Sequence, residues 1–286
     1  MPAIEGEDPV SPTPLAPYLH TVTESVTINH ARQRIIAECM RPFGFDMAVP
    51  PFSQSLRSAR QEETQMLSRL FGATDRDLAK QYGYSIKLDE PPESAQTAEP
   101  NHSFVLLGVT ELADWDPRAG AAATESPGTI DGIEIPPGGC ASEAERRLGG
   151  VSEHVSSLAR DLWIANSQEA TTLPEYRDVV NEWTECMAEK GYTLSGPHTS
   201  QPGDDDYEIR QRNPLTSPSD EEVTMVLADI DCKEQTDLYS RLQEILQEFD
   251  RKSVEKNQLA LQEDRARIEE TVRLATAEIE KMGGFE

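Results

Sequence analysis

Glu38-Cys39-Met40-Arg41-Pro42-Phe43-Gly44-Phe45 decides the fold, because it recurs as Glu185-Cys186-Met187-Ala188-Glu189-Lys190-Gly191-Tyr192. The shared pattern is E-C-M-x-x-x-G-aromatic. A glycine behind a helical pattern supplies a left-handed C-cap, and an aromatic residue after it can fold back on the last turn. Each copy therefore reads as a helix C-terminus: Met40, Gly44 and Phe45 in the first, Met187, Gly191 and Tyr192 in the second, with Trp183 one turn ahead. After a polar stretch rich in Pro, Gly and Ser, each copy is followed by a second cysteine that opens a charged helical pattern. These are Cys140 (Cys140-Ala141-Ser142-Glu143) and Cys232 (Cys232-Lys233-Glu234-Gln235).

Four cysteines allow three disulfide connectivities. The repetition favours Cys39–Cys140 and Cys186–Cys232, each tying the end of one helix to the start of another. Closing loops of about 100 and about 45 residues is worth about 4–5 and about 4 kcal/mol in the chain-entropy model. Free buried thiols and metal or redox chemistry are the competing readings. A zinc site normally shows a C-x-x-C pair or clustered histidines, whereas His20, His30, His102, His154 and His198 lie near none of the cysteines in sequence. Persistent disulfides imply an oxidising, extracytoplasmic compartment.

Outward from the cysteines, the chain reads as mainly α. Residues 1–26 form an expected flexible leader with Pro9, Pro12, Pro14 and Pro17. A first Cys-paired repeat covers 27–150, a second 151–250, and a helical extension 251–286. The first helix is expected to begin near Asn29. One or two helices follow over Gln54–Gln81. Phe104-Val105-Leu106-Leu107-Gly108 is too short for periodicity to separate strand from helix. Ile130, Ile133 and Ile135 alternate as in a short β-hairpin, so any strand is expected within 103–136. Gly149-Gly150 marks the boundary between repeats. A helix over Val151–Ala165 precedes one over Pro174–Lys190, where Val179, Val180, Trp183 and Met187 recur at helical spacing. Ser219-Asp220-Glu221-Glu222 reads as a capping box that starts one helix reaching about Met282. Its apolar phase shifts around Arg251–Asn257, which predicts a kink or break there.

The 286 residues carry 26 Lys+Arg against 52 Asp+Glu, a formal charge of -26. Phosphate backbones and anionic lipid surfaces repel such a chain, so no nucleic-acid partner is expected. No run of about 18 apolar residues is present, and no transmembrane segment is expected. The N-terminal residues lack the basic and apolar regions of a signal peptide; if the protein is exported, the signal is expected to have been removed.

No G-x-S-x-G, H-E-x-x-H, Walker or dinucleotide-binding pattern is found. Gly138-Gly139 and Gly149-Gly150 read as turns. Asp204-Asp205-Asp206 lacks the EF-hand spacing and reads as a solvated loop. Asp114 and Asp116 around Trp115 resemble a carbohydrate cleft but read as a core tryptophan beside two acids. His154 reads as packed or exposed. No catalytic residue, cofactor or metal ligand is assigned.

Ala37-Glu38-Cys39-Met40 with Gly44-Phe45, Tyr82-Gly83-Tyr84, Gly138-Gly139-Cys140 with Glu143-Ala144, Trp183 with Cys186-Met187 and Gly191-Tyr192, and Ala228-Asp229-Ile230-Asp231-Cys232 occur in that order. Over roughly residues 27–280, this combination resembles an uncharacterised family of actinobacterial secreted proteins and lipoproteins. The resemblance implies an exported protein, sometimes encoded beside ABC-transporter and peptidoglycan-binding components, and carries no functional residues with it. The expected function is a non-enzymatic binding or accessory protein of the cell envelope, with a transporter component or another envelope protein as partner. The competing readings are an envelope hydrolase using acids in a cleft between the repeats, and an acidic protein sequestering a cationic peptide.

Overall fold

The computed structural model describes residues 13–67, 72–85, 100–108, 128–150, 157–197, 201–210 and 216–285. Its elements are α1 (Val22–Met40), α2 (Phe52–Leu67), α3 (Arg76–Tyr82), α4 (Pro100–Leu107), β1 (Thr129–Ile130), β2 (Ile133–Glu134), α5 (Gly139–Arg147), α6 (Leu158–Ala170), α7 (Pro174–Glu189), α8 (Tyr207–Arg210), α9 (Asp220–Gln235) and α10 (Leu238–Lys281). The protein is thus mainly α-helical, with a two-stranded antiparallel hairpin and a long C-terminal helix.

The chain forms two compact units, and neither is continuous in sequence. One takes the described residues of Met1–Tyr18, Gln61–Glu93 and Leu158–Leu261; the other takes those of Leu19–Arg60, Ser94–Ser157 and Gln262–Glu286. This division differs from the consecutive one expected from sequence: the second half of α10 belongs with the N-terminal helix. Gly149-Gly150 lies just inside the N-terminal helix's unit, where Gly150 N–H closes on Glu145 C=O to end α5.

In the unit built on α1, the helix starts at Val22 rather than near Asn29, because Thr21 and Glu24 form a capping box. Glu24 N–H donates to Thr21 Oγ1 at 3.2 Å and Thr21 N–H donates to Glu24 Oε2 at 2.9 Å. Such a cap is worth about 1 kcal/mol. Arg265 of α10 grips the same carboxylate, so the cap also docks a distant helix. Ile28, Ala31 and Ile35 form the buried stripe of α1, packed with Ala144 and Leu148 and with Ala275 and Ile279 of α10. Fully burying a side chain such as Ile35 contributes about 1.5–3 kcal/mol.

α5 packs against α1 and α4. Its contact with α4 depends on glycine: a Cβ on Gly139 would lie 2.5 Å from Leu106 O, and one on Gly108 would lie 2.5 Å from Gly139 N. Gly138-Gly139 therefore marks a close backbone approach as well as a turn. Phe104–Leu107 is helical, with Val105 fully buried beside Met40, Ile135 and Cys140. The hairpin turns on Asp131 and Gly132, both at positive φ (51° and 80°), the Asp-Gly signature of a type I′ turn.

In the other unit, α7 and α9 pack together and α3 lies on α9. Trp183 and Met187, both fully buried, share a core with Val179, Met225, Cys232, Leu238 and Leu242. Ser219 caps α9 through Glu222 N–H at 3.1 Å, but the box is half made, because the Glu222 carboxylate accepts instead from Tyr84 N–H at 3.0 Å. α9 does not run on to Met282. It ends at Gln235, Asp237 takes a left-handed φ of 50°, and α10 restarts at Leu238. The kink expected around Arg251–Asn257 falls at Asn257 (φ -117°, ψ 16°), whose Nδ2 donates to Ser253 O at 2.9 Å.

Residues 13–26 of the expected leader are structured, and α1 already begins at Val22. Residues 1–12 lie outside the described set, but Leu15 is fully buried and Thr13 Oγ1 donates to Asp250. Of the helix expected over Val151–Ala165, residues 151–156 lie outside the described set, and α6 runs from Leu158 to Ala170.

Candidate functional site

The two Cys-Met phrases form matching local structures. Gly44 (φ 87°) and Gly191 (φ 91°) are both left-handed. Phe45 N–H reaches Met40 C=O at 3.4 Å, and Tyr192 N–H reaches Met187 C=O at 3.0 Å. Met40 and Met187 are both fully buried. Cys39 is bonded to Cys140 and Cys186 to Cys232, with Cα–Cα separations of 5.7 Å in each. The parallel ends at the second cysteine. Cys140 opens α5, whereas Cys232 sits in the last turn of α9, against the expectation that it starts a helix. The cause is Ser219, which nucleates α9 earlier, so that Met225, Val226, Ile230 and Cys232 become one buried face.

Beside the second disulfide lies a chain of buried polar groups. Trp183 Nε1 donates to Asp229 Oδ1 at 2.9 Å, Lys233 Nζ donates to Asp229 Oδ2 at 2.8 Å, and Lys233 Nζ donates to Ala73 O at 3.1 Å. Asp229 is fully buried and Lys233 nearly so. Gly72 completes the enclosure: a Cβ there would stand 2.6 Å from Lys233 Nζ and 2.5 Å from Pro197 O. An ion pair so withdrawn from water costs several kcal/mol per ion to desolvate and persists only where hydrogen bonds complete it. This arrangement joins α7, α9 and the segment before α3 at one point.

Elsewhere in the same unit, acids tie loops and helices together. Asp204 accepts from Gln201 N–H (2.7 Å) and Ser195 Oγ (2.7 Å), and Asp205 accepts from Thr193 N–H (2.5 Å). Asp206 is fully buried. The Asp204-Asp205-Asp206 run thus braces its loop, with Asp205 exposed to solvent as expected and Asp206 buried. In the same unit, Asp250 accepts from Asn166 Nδ2 at 2.7 Å, and Ser253 Oγ donates to Asn166 Oδ1 at 2.9 Å.

In the unit built on α1, Arg147 pairs with Glu278 of α10 and, at 3.0 Å, with Glu38 of α1, and Glu278 also takes Lys281 at 2.6 Å. Burial alone would raise the Glu278 pKa, but the hydrogen bonds from Lys281 and Arg147 outweigh it and hold the carboxyl below its ordinary value.

Among the described residues, no three His, Cys, Asp or Glu side chains are grouped to hold a metal ion, and no helix is long and apolar enough to cross a membrane. Asp114, Trp115, Asp116 and His154 lie outside the described residues. Sequence reasoning missed Asp229, Lys233 and Asp250. An Asp/Lys pair at i,i+4, set among Met225, Val226 and Ile230 on a buried face, was the available signal.

No protein-family model, no curated protein and no solved structure matches this chain.

Proposed function

We propose that this is a non-enzymatic accessory protein of the cell envelope, acting outside the cytoplasmic membrane and binding a partner that presents a cationic surface. The observation that carries the reading is the pair of disulfides Cys39–Cys140 and Cys186–Cys232, since such bonds persist in oxidising compartments. The charge supports the partner's chemistry. Arg76, Arg147, Lys233, Arg241 and Arg265 pair with acids of the same chain, and the net charge of -26 attracts cations. In this reading the chain belongs with the actinobacterial secreted proteins and lipoproteins it resembles. The two Cys-Met helix ends are copies of one ancestral unit, and the partner is a transporter component or another envelope protein.

Two measurements test this. Peptide mapping without reduction, on protein from fractionated cells of its host, should recover both disulfides in the extracytoplasmic fraction; four free thiols in the cytosol would refute the location. Titration with a basic polypeptide at about 20 mM and about 300 mM salt should show binding that weakens with ionic strength as the screening length shortens. Absence of binding at the lower salt removes the cationic partner.

A further inference from the structure

The unit built on α1 holds a buried histidine whose ring nitrogens have no hydrogen-bond partner. His30 is 3% exposed, and neither Nδ1 nor Nε2 is satisfied. A buried polar atom without a partner carries a desolvation cost, and that cost rises sharply if the group also takes a charge. The neutral imidazole is the less costly form in such a place.

The ring sits at a junction of three segments. Phe52, the first residue of α2, meets His30 edge-on with centroids 5.5 Å apart, and Phe285 meets Phe52 edge-on at 4.9 Å. Aromatic contacts of this kind are worth about 0.5–1.5 kcal/mol each beyond burial. One turn along α1, Arg34 donates to Gly284 O at 2.6 Å and to Met282 O. The end of the chain is thus held on α1 by two carbonyl clasps and an aromatic chain that ends on His30.

The charges around the ring are arranged against protonation. On α1 the cation acting on the ring is Arg34, and it disfavours a second positive charge. From the start of α2 the facing group is the phenyl ring of Phe52, and from the C-terminal segment it is Phe285 behind it. Burial lowers the His30 pKa first and Arg34 adds to the effect.

We propose that His30 is an acid-sensitive latch: protonating its ring releases the Phe52 end of α2 and the Met282–Phe285 segment from α1, exposing the apolar face they cover. The direction follows from linkage. The released state titrates near the ordinary 6.5 and the closed state lower, so the latch is at full strength above about 6.5 and weakens as pH falls from there toward the closed-state value. One proton sets the limit at about tenfold in the opening equilibrium per pH unit.

Amide hydrogen exchange on the full chain, between pH 7.5 and pH 5 and corrected for intrinsic rates, tests this. The reporters are Met282, Gly283 and Gly284, which bond to Glu278, Ile279 and Glu280, and Gln54 and Ser55, which bond to Pro51. In the wild type, protection of both groups should fall together by about tenfold or more across the range, with the rest of α1 unchanged. In His30→Phe, which keeps the edge contact and cannot ionise, the fall should vanish. An equal fall in His30→Phe, or none in the wild type, overturns the latch. Should that variant fail to fold, wild-type imidazole NMR decides: a His30 titration below 6.5 that moves the Phe52 and Phe285 rings supports the latch, and an ordinary titration without ring movement overturns it.

Discussion

Trp183 Nε1 and Asp229 Oδ1 lie 2.9 Å apart in a region where both residues are fully buried. A single helix-to-helix hydrogen bond thereby ties the bulkiest residue of the α7 stripe to an acid of α9 whose other oxygen holds Lys233. The acid is thus satisfied on both oxygens, which makes its burial bearable.

Removing one member of that chain should cost more than removing the charge pair together. Asp229→Ala leaves the Lys233 ammonium buried without its counter-charge and should lower stability by about 3–5 kcal/mol. Asp229→Leu with Lys233→Met should lose much less. Urea unfolding of Asp229→Leu, Lys233→Met and the variant that combines them gives the coupling; additive losses would mean that the pair is not an energetic unit.

Trp183→Phe keeps most of the ring volume but deletes the indole donor. The buried Asp229 carboxylate then loses the indole hydrogen bond, at a cost of about 1–3 kcal/mol. An unfolding midpoint unchanged from the wild type would show that water or another group replaces the bond.

The disulfides should contribute according to the logarithm of the loops they close. The Cys39–Cys140 bond spans 101 residues and Cys186–Cys232 spans 46, so paired Cys→Ser replacements should cost about 4–5 and about 4 kcal/mol respectively. Denaturant titration with and without reductant measures each; a midpoint insensitive to reductant would contradict the linkage.

Gly44 and Gly191 should behave as equivalent positions. A Cβ at either meets nothing within 4 Å, so Gly→Ala at each pays only for the left-handed backbone, about 1–2 kcal/mol. Gly→Asn should cost less, because Asn tolerates that conformation. Unequal costs at the two glycines would show that the helix ends differ energetically.

Acid should weaken the contact of α10 with α1 and α5 through Glu278. Its pKa is held below 4.5 in the folded state. The stability it provides is therefore present above about 4.5 and is lost as pH falls from there through the folded-state value. Glu278→Gln should flatten that part of the stability–pH curve; an identical acid slope in wild type and variant would remove Glu278 as its source.

Local signals in the chain were readable to the extent that they needed only neighbours. The capping glycines, the proline start of α7, the Asp-Gly hairpin and the phase shift before Asn257 all act within one or two turns. The early start of α1 was also readable, in Thr21-Val22-Thr23-Glu24, but the prolines upstream favoured a leader. The break at Asp237 left no glycine or proline to find: an aspartate occupies the left-handed position, which the residue type permits but does not demand.

The sequence by itself determined the helical class and the two capped Cys-Met helix ends, and it favoured the cysteine pairing that the structure holds, because helix periodicity, capping and repetition are local or directly comparable along the chain. Tertiary structure alone decided which segments share a unit, that the end of α10 returns to α1, and that Asp229, Lys233 and His30 are buried. Those facts depend on which apolar faces meet across tens to hundreds of residues, and a charge in a helical stripe reads the same from sequence whether water or a tryptophan lies opposite it.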